Sequence, residues 1–246
     1  MMRLYAWACA VTAEEAIAHA DRFLGLGLVL YPRNYHAVEH LAVPPIAYVT
    51  TLAQAEVIAD WARAGFRWHA AIVNDERNQT GPSGAFMEPT EYAERFEPIA
   101  AVLRAAGVPV STMGLAPRRT FLWDTFRCRK FDDWYHARLP DAELRAFNPN
   151  GVRRRELERA MRKGERWILS PAPFLNWLDN LLSPIKVSGW ARYARDPRVH
   201  AVALWCLREV PKSSGTGWWH EHGLIDRAGR ITVVGQRVLA ALREGS

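Results

Sequence analysis

The sequence predicts an α/β protein folded as a single (β/α)8 TIM barrel over residues 1–246, on three observations. First, an amphipathic stretch, a glycine and a short apolar run recur in that order, with the glycines at Gly27, Gly65, Gly107 and Gly164. Helix followed by buried strand is the α/β pattern, and a glycine there suits the residue just past a helix end, which needs a positive φ. Second, 246 residues divided among eight units gives about thirty-one each, the length of one strand–helix repeat. Third, the competing open, doubly wound sheet lacks its Gly-x-Gly-x-x-Gly fingerprint, because Gly25-x-Gly27 follows a helix rather than a strand.

Eight apolar runs are read as the strands: Leu4–Cys9, Leu28–Tyr31, Ile46–Thr50, Trp68–Val73, Val108–Met113, Leu144–Phe147, Trp167–Leu169 and Val199–Leu207. Between the first two, Thr12-x-x-Glu15 reads as a capping box, with Ile17, Ala20 and Leu24 on one helical face. Thr51-x-x-Gln54 reads as a second box, ahead of Leu52, Ala55, Ile58 and Ala62. Pro89 suits the first helical position, with Glu88 and Glu91 at the positive end of the dipole. Tyr92, Phe96, Ile99 and Leu103 then follow with the best helical period in the chain. Phe131–Leu139 also looks helical, and Asp196-Pro197 stops a helix before the eighth strand.

Composition narrows the functional classes. With 49% hydrophobic and 24% charged residues the chain is neither disordered nor a repeat polymer. No apolar run approaches the roughly 20 residues that span a bilayer. Cys9, Cys128 and Cys206 are an odd, scattered trio, so neither a disulfide framework nor a structural zinc site is expected; Cys9 and Cys206 read as core. The net charge of +6 comes from clusters at Arg118-Arg119, Arg127–Lys130, Arg153–Arg155 and Arg162-Lys163. Asp and Glu are interleaved with them and no aromatic stacking motif accompanies them, so they read as solvated faces and not as a nucleic-acid surface. Met1–Val11 is basic then apolar, but Thr12-Ala-Glu-Glu15 ends it too soon for an export signal, and a first strand entering a helix is expected. Location stays open on these grounds, between the cytoplasm and a larger assembly that carries the chain.

Barrels of this kind build their sites where strands end at the carboxyl side. Those ends offer Arg33 and Asn34 after strand two; Asn74, Asp75 and Glu76 after strand four; and Asn148 after strand six. Ser170 follows strand seven, and Trp205, Arg208 and Glu209 follow strand eight. Eleven tryptophans are many for this length; Trp61, Trp68 and Trp167 are expected in the core, whereas Trp205, Trp218 and Trp219 fall near or beyond the last strand. His220 and His222 flank Glu221 in a glycine-rich stretch, and His36 and His40 stand four apart beside Glu39. Neither pair has a third ligand in view, so no metal and no cofactor is expected, and His220 is read as a substrate contact.

The stretch Ile72-Val-Asn-Asp-Glu-Arg-Asn78, then Glu88-Pro-Thr-Glu-Tyr-Ala-Glu-Arg-Phe96 and Leu103-Arg-Ala-Ala-Gly-Val-Pro-Val110, resembles the clan A glycoside hydrolases. There strand four ends in Asn-Glu-Pro, a proline-led helix follows, and a Gly-Val-Pro-Val segment opens strand five. Phe131-Asp-Asp-Trp-Tyr135, Leu144-Arg-Ala-Phe-Asn148, Arg166-Trp-Ile-Leu-Ser170 and His222-Gly-Leu-Ile-Asp-Arg-Ala-Gly229 extend the likeness in the same order. The resemblance implies a sugar-directed mouth, with Asn34, Asn74, Asn148, Ser170, Trp205, Trp218, Trp219 and His220 as contacts to a carbohydrate. Two positions depart from the family. Asp75 stands where it carries its acid/base glutamate, with Glu76 one residue on, and Ser170 stands where it carries its nucleophile. Retaining hydrolysis needs two carboxyl groups about 5–5.5 Å apart, and a serine without its own base does not replace one.

Two functions are therefore expected to compete. In the first, the chain hydrolyses a glycosidic bond with Asp75 or Glu76 as proton donor and Glu209 as a distant partner, a spacing of roughly 6.5–9.5 Å suiting inversion through water. The alternative for Glu209 is a surface carboxylate paired with Arg208 or Lys212. In the second, the barrel is catalytically inactive and serves as a glycan-binding module, for instance as part of a larger particle such as a phage tail.

Overall fold

The structure, a computed structural model, describes residues 3–9, 11–23, 25–74, 87–112, 140–147, 166–172, 197–204, 206–209 and 223–244. Eight parallel strands close into one barrel: β1 (Arg3–Trp7), β2 (Gly27–Leu30), β3 (Ile46–Val49), β4 (Ala70–Val73), β5 (Val110–Thr112), β6 (Leu144–Phe147), β7 (Trp167–Ala172) and β8 (Val199–Leu204). Each strand pairs with both neighbours, and β8 returns to β1 in register from Arg3–Ala201 to Ala6–Leu204. Closure leaves no edge, and the lumen cluster on one side and the helices on the other cover both faces of the strands. That is why runs such as Ala70–Val73 read as continuous apolar sequence instead of alternating. The (β/α)8 barrel expected from the sequence is the fold observed.

One face of the strands looks into the lumen, the other toward the helices. Tyr5, Trp7, Val29, Ile46, Ala70, Ile72, Ala146, Ile168, Ala201 and Ala203 form the lumen cluster. Leu4, Ala6, Leu28, Leu30, Val49, Ala71 and Val73 face outward onto Ala16, Phe23, Ile58, Phe96 and Leu103. Two large β1 rings, Tyr5 and Trp7, fill the lumen and are almost wholly buried. Small residues make room for them: Tyr5 is in register with Gly27 on one side and Ala203 on the other.

This corrects the reading of Gly27 as the residue past a helix end. Gly27 opens β2, and a Cβ built on it would lie 2.2 Å from Tyr5 Cε1. The positive φ after the first helix falls at Gly25 instead (φ 89°), while Gly65 and Gly107 do adopt the expected conformation (99° and 74°).

The described helices are α1 (Ala13–Asp21), α2 (Leu52–Arg63), α3 (Pro89–Ala105) and α4 (Val233–Glu244), with a 3-10 segment at Pro32–His40. Thr12 and Glu15 form the full reciprocal cap: Glu15 N–H donates to Thr12 Oγ1 at 3.2 Å and Thr12 N–H to Glu15 Oε2 at 3.0 Å. The second box is only half made. Gln54 N–H donates to Thr51 Oγ1, but the Gln54 side chain accepts from the Thr50 backbone at 2.7 Å, one residue early. α3 starts at Pro89 and buries Tyr92, Phe96, Ile99 and Leu103, as their spacing predicts. Ahead of α4, Asp226 receives the Arg230 backbone and guanidinium at 2.8 and 2.7 Å around Gly229 (φ 80°).

Strand ends differ modestly from the sequence reading. β7 runs on through Ser170 to Ala172, and β8 stops at Leu204. Trp68 and Trp167 are buried, Trp61 packs against the core, and Cys9 and Cys206 are buried free thiols. Among the described residues no helix is long and apolar enough to cross a membrane.

Gly27→Ala is expected to destabilise the barrel by about 1–3 kcal/mol, the usual cost of overpacking a core. Urea denaturation measures it, and adding Tyr5→Leu, which frees the space, should recover part of the loss.

Candidate functional site

At the carboxyl ends of β1 to β4, on one side of the barrel mouth, side chains tie the strand backbones in place. Asn34 is wholly buried in the 3-10 segment. Its Oδ1 accepts from Tyr31 N–H at 2.7 Å and its Nδ2 donates to the Ala8 carbonyl at 3.1 Å, clamping the end of β2 to the end of β1. Tyr35 O–H donates to the Tyr48 carbonyl in β3. Tyr92 O–H donates to the Val73 carbonyl at 2.9 Å, anchoring α3 to the last residue of β4.

Asn74, the next residue, is held differently. Its backbone N–H donates to Val49 at 2.8 Å, and its φ of 61° makes it the one non-glycine in left-handed conformation among the described residues. Asparagine tolerates that conformation better than most residues. The residue is 1% exposed, yet among the described residues neither Oδ1 nor Nδ2 has a hydrogen-bond partner. A buried amide left unpaired costs about 1–3 kcal/mol, and such strain collects at functional sites.

Beside Asn74 the mouth is aromatic. Trp7, Tyr31 and Tyr48 stand at the ends of three consecutive strands, and their ring centroids form a triangle with sides of 5.6, 5.6 and 5.3 Å. Trp7 is buried beneath, Tyr31 and Tyr48 are half-buried, and Arg33 lies 5.6 Å over the Tyr31 ring. Sequence reasoning missed these three because it absorbed them into core runs. The signal was there at period two: Tyr5/Trp7, Val29/Tyr31 and Ile46/Tyr48 each end an inward-facing series on an aromatic residue.

The other expected site residues are distributed as follows. Glu209 lies just past β8, half-buried, its backbone N–H bonded to Ile225 at 2.9 Å. Arg208 does not pair with it; it reaches Glu15 at 2.7 Å and ties the segment after β8 to the first turn of α1. For Ser170 only the backbone is described. It sits within β7, where the register with β8 shifts between Leu169 and Ala172. Asp75, Glu76, Asn148, Trp205, Trp218, Trp219 and His220 lie outside the described residues. His36 stands 3.8 Å from Glu14, and among the described residues no group of three His, Cys, Asp or Glu side chains is arranged to hold a metal.

By sequence, no family model and no curated protein matches the chain; its likenesses are structural. It superimposes over 97% of its length on 97% of a GH128 (subgroup II) endo-β-1,3-glucanase from Pseudomonas viridiflava, with TM-score 0.59 and 17% identity. All of it matches 95% of a GH128 (subgroup VII) oligosaccharide-binding protein from Cryptococcus neoformans, with TM-score 0.58 and 11% identity. Against a GH5_18 protein from Bifidobacterium longum subsp. longum the TM-score is 0.65 at 10% identity, covering 99% of this chain and 79% of that one. The chain thus has the (β/α)8 barrel fold, which a glucanase and an oligosaccharide-binding protein among its structural neighbours share.

Asn34→Ala leaves the Tyr31 N–H and the Ala8 carbonyl without the amide that joins them. A loss of about 1–3 kcal/mol is expected in urea denaturation.

Proposed function

We propose that the chain engages an oligo- or polysaccharide in the carboxyl-end mouth of the barrel, with Asp75 or Glu76 as proton donor to a glycosidic oxygen. The observation that carries this reading is Asn74: a buried amide with a donor and an acceptor both unpaired, at the strand-four end where the resemblance puts a sugar contact. A sugar hydroxyl is donor and acceptor at once and satisfies such a group. Tyr31 and Tyr48, raised on Trp7, add apolar faces against which sugar C–H groups pack. Asn148, Trp205, Trp218, Trp219 and His220 complete the proposed contacts.

In the hydrolytic form, Asp75 or Glu76 gives its proton to the leaving oxygen as the C–O bond breaks. Glu209 removes a proton from the attacking water, whose oxygen bonds the anomeric carbon from the opposite face. The second reading is binding without cleavage. Ser170 favours it, because that position supplies no carboxylate for a covalent intermediate. A glycan array followed by a reducing-end assay on each hit separates the two. Sugar release that disappears in Asp75→Asn or Glu76→Gln supports the enzyme; retention of the glycan without release in the wild-type protein supports the module; and an array with no hit contradicts both.

Asn74→Gly removes the unpaired amide and relieves the left-handed backbone together. The variant is expected to be as stable as the parent or more so, while affinity for any glycan hit falls at least about tenfold. Denaturation midpoints and glycan titration, measured side by side, check it.

A further inference from the structure

The pole of the barrel opposite the mouth brings four basic side chains together, while Glu143, the acid that immediately precedes β6 at the same end, is taken up by Arg104 and the Val110 N–H. Arg3 opens β1, His69 immediately precedes β4, Arg166 immediately precedes β7, and His200 is the second residue of β8. In an all-parallel barrel these strand starts share one end. Arg3 Nη1 lies 3.4 Å from His69 Nδ1. Arg166 places Nε 2.6 Å from His200 Nε2 and Nη2 2.9 Å from His200 Nδ1.

Such partners are unusual in this protein. Arg63, Arg95, Arg104, Arg208 and Arg230 each meet a carboxylate within 2.8 Å. Arg3 and Arg166 meet imidazoles. A neutral imidazole accepts at one nitrogen only. If His69 Nδ1 accepts from Arg3, its own proton sits on Nε2, and Nε2 is buried with no partner among the described residues. At His200 both ring nitrogens face Arg166 donors, so one of those donors lacks an acceptor.

Among the described residues, the charges that lower the two rings are positive. Burial first, then Arg3, His200 and Arg166, push the His69 imidazole down to about 4. Burial, Arg166, Arg3 and the amino-terminal charge lower His200 as well. Tyr5, whose ring stacks 5.2 Å from His69, feels the Arg3 charge too. The cluster therefore holds surplus donors and unneutralised charge at a partly exposed surface.

We propose that Arg3, His69, Arg166 and His200 form a binding site for a tetrahedral oxyanion, a phosphate or sulfate group, either free or as an ester on a larger molecule. Its oxygens accept the orphaned His69 Nε2–H and the spare guanidinium N–H groups, and its charge replaces the mutual repulsion. The site lies at the other end of the barrel from Asn74 and does not depend on the sugar reading.

The test uses the wild-type protein near neutral pH and low ionic strength, with inorganic phosphate, sulfate and glucose 6-phosphate compared against chloride and acetate at matched ionic strength. Phosphate and sulfate are expected to raise the melting temperature saturably where chloride and acetate do not. Phosphate should also move the His69 C2–H titration midpoint upward, because an anion favours the protonated ring. Sulfate affinity, which is free of phosphate's own ionisation, should tighten as pH falls toward the lowered His69 midpoint of about 4. Arg3→Gln and Arg166→Gln should each weaken binding about tenfold or more. Glucose 6-phosphate binding as tightly as phosphate identifies an ester site, and binding of the inorganic ions alone a free-ion site. Melting temperature and His69 midpoint that respond to phosphate no more than to chloride overturn the proposal, whether or not the variants fold.

Discussion

The barrel is organised around two rings from one strand. Tyr5 and Trp7 occupy the lumen, and the strands around them answer with Gly27, Ala70, Ala201 and Ala203. A parallel cylinder of eight strands has room for side chains but none for voids, so this asymmetric filling fixes which positions must be small. It also reaches the surface. Trp7 is the uppermost lumen ring of β1, and Tyr31 and Tyr48 rest against it, so the packing that closes the barrel shapes the floor of the mouth.

The rim above that floor is rigid where side chains meet strand-end carbonyls. Carbonyls past the last ladder bond have no neighbouring strand to serve, and Asn34, Tyr35 and Tyr92 serve Ala8, Tyr48 and Val73 instead. Asn74 breaks that pattern. It stands one residue beyond an anchored carbonyl, in a left-handed conformation, with a buried amide that meets no partner among the described residues. Rigid support around one unsatisfied group is what preorganised binding requires, since the surroundings bear the strain before the ligand arrives.

Much of this was legible in the sequence, for identifiable reasons. The order of strands and helices follows from apolar runs and from Gly65 and Gly107, whose positive φ is local chemistry. The Thr12–Glu15 cap and the Tyr92–Leu103 face are local too, and both stand as read. What was misread depends on contacts far along the chain. Gly27 looks like a helix terminator until Tyr5 is placed beside it, and Asn34 reads as a free sugar contact at the mouth although its amide bridges Ala8 and Tyr31 there. The pairing of Arg3 with His69 joins residues 66 apart and left no local trace.

The two poles make opposite demands on a ligand: the mouth offers an amide and aromatic faces, the base offers bare positive charge. Hydrogen–deuterium exchange with linear β-linked gluco- and manno-oligosaccharides tests the central claim most directly, because it reports which pole is covered. The account predicts slowed exchange at the mouth, in segments 29–35, 46–50 and 72–76 and around Asn148, Trp205 and Trp218–His220, with the segments around His69 and His200 unchanged. Protection at the base, or at neither pole with every oligosaccharide, would contradict it.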